Sequence, residues 1–259
     1  MLTLKFRAHT GKVYDLFAPD AAIGVPQGGL KLAATITRTT QEALGRPGSF
    51  AADLSFGEMT GSLTTTIDAA RTAPSASLEQ VYLDWLAAHS FTREGTLIAG
   101  RDGLSHLDRT AEVKLAQQLP NPDIIPENTT EMEVEAHLVA ERGAWFGPWQ
   151  KATKATFVEN TGQVPLTYRV RWKGNGGRVV LPSGAHFALP STSTERILYV
   201  SDDESCMVTR PDGTPDRTLW KAMAGKVLPE PIAVGDTRAI TVPAGATLEW
   251  RLGYAHPWG

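Results

Sequence analysis

Apolar and polar residues alternate along most of this chain, the period of a half-buried β-strand. Leu2, Leu4 and Phe6 alternate with polar neighbours, a Thr-Gly turn follows, and Val13 to Phe17 resumes the pattern. Leu30 to Thr37, Ala51 to Phe56 and the β-branched run Ser62 to Ile67 are further strands, with a loop around Gly45, Pro47 and Gly48. The period then changes once. Leu78, Val81, Tyr82, Trp85 and Leu86 recur at i, i+3, i+4, i+7 and i+8, one face of a helix. Ser77 followed three residues later by Gln80 is a capping-box start. This face is expected to pack on a sheet; a Trp-Tyr ligand stripe is the competing interpretation.

Strands resume after the helix. An Asp102-Gly103 turn separates two hairpin-like strands, and Asn121 to Asn128, with three prolines nearby, forms a loop. Met132, Val134, Ala136 and Leu138 then alternate with Glu131, Glu133, Glu135 and His137. From residue 152 onward the chain is strand and turn at short spacing, with Tyr168, Val170 and Trp172 on one face and a helical turn at Leu219, Trp220 and Met223. The glycines of KGNGGRVVLP precede a strand, so they read as an Asn-Gly hairpin rather than a phosphate cradle. Dense short antiparallel strands of this kind build a sandwich or jelly roll.

Charge adds a division. Residues 1–150 carry 12 Lys/Arg against 18 Asp/Glu, a net of −6, whereas residues 151–259 carry 13 against 10, a net of +3. The sign changes at AWFGPW, Ala144 to Trp149, where three rings flank a Gly-Pro pair that cannot continue a helix or central strand. Two domains are expected, 1–149 and 150–259. Neither half is basic enough to suggest a nucleic-acid reader. No apolar run is long enough to span a membrane, and the start lacks a signal-peptide core, so cytosolic synthesis is expected.

Catalytic patterns are sparse. There is no G-x-S-x-G, H-E-x-x-H, C-x-x-C or Walker loop, and the six histidines show no metal-ligand spacing on a shared element. Cys206, the single cysteine, has no base near it in sequence and reads as an inert thiol. Asp202 to Glu204 is acidic without a calcium-loop spacing. No enzyme activity, cofactor or metal is expected.

The order of several segments resembles the distal tail proteins of long-tailed bacteriophages, the minor tail proteins of actinobacterial phages among them. LTLKFRAHTGKVYDL resembles that family's opening hairpin, and LEQVYLDWLAA with TREGTLIA its first-domain helix and strand. LVAERGAWFGPW resembles its interdomain junction, FVENTGQVPLTYRVRWKG the entry to its second domain, LWKAMAGKVLPEPIAVGD a late loop, and VPAGATLEWRLGYAHPWG its closing strand. No long insertion is present where some relatives carry a carbohydrate-binding module.

The resemblance implies a mainly β chain: an N-terminal β-sandwich or split-barrel-like domain with one helix, then a galectin-like jelly-roll sandwich. It implies a virion structural protein at the tail tip, assembled in the host cytoplasm. The first domain would form a ring, a hexamer, with a channel that DNA traverses without specific binding. Partners would be the tail tube, tape measure and tail-tip or adhesin proteins. Within that picture Trp145, Phe146, Pro148, Trp149 and Trp258 are candidates for a stiff interdomain or inter-subunit seam; the alternative, that the rings complete each domain's own core, stays open. Glu131, Glu133 and Glu135 are candidate channel-facing acids that would repel phosphate, or else a solvated strand face. The competing function is a lectin-like sandwich with Tyr168, Trp172 and Trp220 stacking on sugar. A hydrolase using carboxylates, or a capsid or tube subunit, are the remaining alternatives.

Overall fold

The computed structural model describes residues 1–42, 49–71, 77–119, 130–201 and 205–258. The loops expected at Gly45 to Gly48 and Asn121 to Asn128, and the acidic run 202–204, lie outside the described residues. Clustering of the backbone gives two compact units, Met1–Phe146 with Tyr254–Gly259, and Gly147–Gly253. The sequence alone suggests one boundary at 149/150; here the last segment is grouped with the first unit. The fold is mainly β and antiparallel, as the alternating pattern requires, with two α-helices among the described residues.

In the first unit, β1 (Leu2–Arg7), β2 (Val13–Asp15), β3 (Ile23–Gly24), β4 (Leu30–Glu42), β5 (Ser49–Asp68), β6 (Gly95–Arg101), β7 (Arg109–Leu115), β8 (Glu131–Ala140) and β9 (Trp145–Phe146) share one sheet. Its order is β2-β1-β6-β7-β8-β5-β3, with β4 on β5 and β9 on β7. α1 (Leu78–Ala87) starts where Ser77 accepts a hydrogen bond from the Gln80 backbone N–H, satisfying one orphan donor of the first turn. Leu78, Tyr82 and Trp85 are buried, and Val81 and Leu86 are partly buried against the same core. Trp85 meets Phe6 edge-on at 5.5 Å and Tyr14 at 5.1 Å, so the helix is fixed to the β1–β2 hairpin through rings.

Two of the expected strands are one. Ala51 to Phe56 and Ser62 to Ile67 both belong to the 20-residue β5, and β4 runs on to Glu42 where a loop was expected. Gly57 and Gly61 suggest a break in the sequence, but both lie within β5, Gly57 at a register shift and Gly61 paired with Leu32 and Leu138. A Cβ at Gly61 would overlap the Lys31 carbonyl, so glycine is required there by close backbone approach rather than by a turn. Register shifts between Ala34 and Ile36 and between Thr39 and Thr40 absorb the irregularity.

The second unit is a two-sheet sandwich. β10 (Gln150–Ala152), β11 (Ala155–Glu159), β12 (Tyr168–Gly174), β13 (Gly177–Val180), β14 (His186–Leu189), β15 (Thr192–Val200), β16 (Val208–Thr209), β17 (Thr237–Thr241) and β18 (Ala246–Trp250) form it, and β19 (Gly253–Tyr254) follows where the chain returns to the first unit. One sheet runs β10-β18-β12-β15-β16, the other β11-β17-β13-β14. Val158, Val170, Trp172, Val179, Leu198 and Leu248 are among the core side chains between them. α2 (Arg217–Met223) is capped by Asp216, which accepts from the Leu219 N–H. The expected Asn-Gly hairpin at residues 173–182 is a sheet switch instead: β12 pairs with β15 and β18, whereas β13 pairs with β14 and β17. Positive φ at Gly174, Gly176 and Gly177 lets the chain turn from one sheet to the other.

Candidate functional site

The feature of the first unit without an ordinary packing explanation is the outer part of the β4–β5 hairpin. β5 pairs with β8 only from Met59 to Asp68. Beyond that point β4 and β5 pair with each other alone among the described residues, from Ile36↔Phe56 to Glu42↔Ser49. The ribbon leaves Ile36 at 46% and Leu54 at 48% exposure. It has a chemical polarity. The register places Ile36, Phe56, Arg38 and Leu54 on one face, and Thr37, Ser55 and Thr39 on the other. An isolated two-stranded ribbon is marginal in water, and strand edges in general are templates for further strands. Sequence reasoning missed it because glycines inside a strand look like punctuation.

The candidate channel acids lie on β8 opposite β5: Glu131↔Asp68, Glu133↔Thr66 and Glu135↔Thr64. Glu131 and Glu133 are exposed and Glu135 half-buried, while Met132, Val134, Ala136 and Leu138 between them are in the core.

The candidate seam residues are divided between the two units. Trp145 is fully buried in the first unit's core, and Phe146 beside it accepts a hydrogen bond at its carbonyl from the Thr110 hydroxyl. The tight turn before them needs Gly143, whose φ is 64° and whose added Cβ would overlap the Gly57 carbonyl. Trp258 stacks on Phe17 at 6.2 Å and packs against the same core. Arg109 belongs to this region too: its guanidinium lies 3.5 Å over the Tyr254 ring and donates to the His256 carbonyl.

Pro148 and Trp149 belong to the second unit and are exposed. The Trp149 ring carries the Arg169 guanidinium at 3.7 Å and that of Arg251 at 4.9 Å. Arg169 and Arg171 in turn donate to Glu249, a carboxylate with no exposed surface, and Lys151 pairs with it at 3.2 Å. This aromatic and ionic array sits on the outer face of the β10-β18-β12-β15-β16 sheet. Its signal in sequence was faint, because the partners come from three strands. Of the sugar-stacking candidates, Tyr168 and Trp172 are buried core residues, which removes them as a stacking platform, whereas Trp220 is half-buried and packs against the second unit's core.

Among the described residues no cluster of three or more metal-ligating side chains occurs. No helix there is long and apolar enough to cross a membrane. The most perturbed histidine is structural. His89 stacks on Phe6 at 4.8 Å, and its Nδ1 lies 2.9 Å from the Trp85 carbonyl. Burial pushes its pKa below 6.5, opposed by the backbone hydrogen bond and reinforced by His9. The unfolded chain therefore takes up a proton that the folded chain resists, so this group's contribution is complete above about pH 6.5 and declines as pH falls below it. Stability should fall by up to about 1.4 kcal/mol per pH unit in that window, and His89→Phe should flatten this part of the urea-midpoint profile.

The fold is that of a two-unit, mainly β chain. The structure is similar to that of the phage SPP1 Dit protein, described as a paradigm of the hub adsorption apparatus in phages infecting Gram-positive bacteria, with a TM-score of 0.58 and 11% identity over 98% of this chain and 99% of that one. It is also similar to chains of the phage p2 baseplate in its activated conformation, with Ca at a TM-score of 0.52 and with Sr at 0.51, each 8% identical and covering 97% of this chain and 98% of the other. At such identities the likeness establishes the fold. No protein-family model matches the chain, and no curated protein does.

Proposed function

We propose that this chain is a structural protein of a phage tail tip, located in the virion, whose action is assembly rather than catalysis. The first unit forms a ring, taken to be a hexamer, around a channel for DNA. The second unit stands outward and meets tail-tip or adhesin proteins, while the ring's other face meets the tail tube and tape measure proteins. The observation that carries this proposal is the β4–β5 ribbon, whose outer part pairs with no third strand among the described residues and which leaves Ile36 and Leu54 exposed. Strand addition from neighbouring copies satisfies both needs at once. On this view the ribbon face that bears Thr37, Ser55 and Thr39 is turned to the channel. Glu131, Glu133 and Glu135 supply like-charge repulsion of phosphate wherever they approach it. Of the seam candidates Trp145, Phe146, Pro148, Trp149 and Trp258, the rings of Trp145 and Trp258 rigidify the first unit that builds the ring, because rings fill space at low rotamer entropy.

The test is the solution mass of the full chain, whose subunit is 27.9 kDa. A discrete species near six subunits is expected by light scattering. A variant with residues 37–55 replaced by an Asn-Gly turn should keep its β circular dichroism and remain monomeric. Assembly of that variant to the wild-type mass would remove the ribbon from the ring; a wild-type monomer at every concentration, even with the tube protein added, would remove the ring itself.

A further inference from the structure

We propose that Asn175 is a self-modifying site, whose side-chain amide is converted by the backbone nitrogen of Gly176 and by water into aspartate and isoaspartate. Asn175 and Gly176 lie where the chain passes from β12 to β13, and so from one sheet of the second unit to the other. Neither packing nor turn geometry explains an asparagine there. The residue is exposed, its φ is not positive, and its side chain makes no hydrogen bond among the described residues. The glycine after it is required. Its φ is 71°, and an added Cβ would overlap the Leu189 carbonyl oxygen and crowd that of Pro190. The fold therefore fixes at 176 the one residue type with no side chain to screen its amide nitrogen. That nitrogen donates to no backbone carbonyl among the described residues.

The reaction is a ring closure within the chain, so no bimolecular encounter is needed for its first step. The Gly176 nitrogen gives up its proton and bonds to Cγ of Asn175. The Cγ–Nδ2 bond breaks, and the side-chain nitrogen leaves with that proton as ammonia. The succinimide that remains is opened by water at either carbonyl. Addition at Cγ gives aspartate. Addition at the backbone carbonyl carbon gives isoaspartate, whose main chain runs through Cβ and Cγ. Both products carry a new carboxylate, and isoaspartate also lengthens the main chain by a methylene. That extra atom enters between two positions held by strand pairing, Gly174 with Thr192 and Gly177 with Leu189, so β13 should pair less firmly with β14. Each other asparagine lacks a requirement. Asn160 is buried, donates to the Val164 and Ile232 carbonyls and accepts from the Gly162 N–H. Asn121 precedes Pro122, which has no N–H, and Asn128 precedes the β-branched Thr129.

The test holds the full-length protein at neutral pH and physiological temperature and samples it over time. Samples are digested at mildly acidic pH, where the ring closure is slow, and peptides bearing asparagine, aspartate and isoaspartate are separated and identified by mass. Both acids are expected at Asn175, isoaspartate in excess. The rate should lie within about tenfold of that of the free peptide Lys-Gly-Asn-Gly-Gly-Arg, so that folding adds less than about 1.4 kcal/mol to the barrier. Asn160 should remain an amide in the same samples, and Asn175→Ser should show no conversion at this position. Hydrogen exchange across Gly177–Val180 should be faster in the aged protein than in Asn175→Asp, which has the charge with the normal main chain. The proposal is overturned if Asn175 persists while the free peptide converts, or if Asn160 converts as fast. Exchange in the aged protein no faster than in Asn175→Asp would overturn the loosening of β13. Because the chemistry lies within a single chain, the result reads the same for a ring and for a monomer.

Discussion

Glu249→Gln is expected to lower the unfolding free energy by about 3 kcal/mol, seen as a lower urea midpoint at unchanged slope. The Glu249 side chain has no exposed surface, yet it accepts from Arg169 at 2.8 Å and Arg171 at 3.1 Å, with Lys151 at 3.2 Å. Burial alone would raise this carboxyl. Hydrogen bonds from Arg171, Arg169 and Lys151 and the Arg169 charge more than offset that, and hold it below its ordinary value of 4.5. Glutamine keeps the shape but removes the charge, and its amide N–H groups face guanidinium donors. Arg169 and Arg171 keep 16% and 26% of their side-chain surface, which places the loss at the lower end for a broken buried pair. The sign with pH follows: the folded pKa is depressed, so this contribution is present above about pH 4.5 and is lost as pH falls. The variant should lack that part of the acid transition. Arg169→Met combined with Glu249→Gln should lose less than the sum of the two single changes, because they remove the same interaction. Full additivity would mean that solvent screens the array.

Trp85→Ala should cost about 3–5 kcal/mol, the range for removing a large buried ring. Trp85 is wholly buried and is contacted by three rings: Phe6 at 5.5 Å, Tyr14 at 5.1 Å and His89 at 4.5 Å. Its removal opens a cavity between α1 and the β1–β2 hairpin, two elements that cannot close on each other without moving the backbone. Trp85→Phe should cost much less, because the indole N–H is buried without a hydrogen-bond partner in the structure and its loss is no penalty. Leu83→Ala on the same helix, at 48% exposure, should stay within about 0.5 kcal/mol and serves as the control. Equal effects at positions 83 and 85 in denaturant melts would mean that the helix is not packed as described.

The same helix shows how much was legible in the sequence. Its face could be read because a 3.6-residue period against a background of alternation is a local signal, and Ser77 marks its start with its own side chain. β8 was legible for the same reason: Met132, Val134, Ala136 and Leu138 alternate without interruption, and all four are in the core. The ribbon was not. Gly57 and Gly61 have the composition of turns, and only pairing with β4 on one side and β8 on the other makes the second of them a strand residue. The Asn-Gly segment before Gly177 failed in the opposite way. Its glycines mark a change of direction, but whether the chain folds back on its own strand or crosses to the facing sheet depends on which strands compete for the edge.

Aromatic residues divide along the same line. Tyr168, Val170 and Trp172 alternate in the sequence and are all buried, which local pattern fixes. Trp145, Trp149 and Trp258 share a setting of Gly and Pro, yet they end in different surroundings: a core, a pair of guanidiniums and the Phe17 ring. By itself, then, the sequence determined the mainly β class, the one long amphipathic helix and the inward faces of its strands, because each follows from the periodicity of near neighbours. Only the tertiary structure decided that β4 and β5 outrun their sheet, that Glu249 lies beneath three cations, and that Gly176 is pressed against the Leu189 carbonyl. Those features depend on residues far apart in the chain, whose meeting no local spacing encodes.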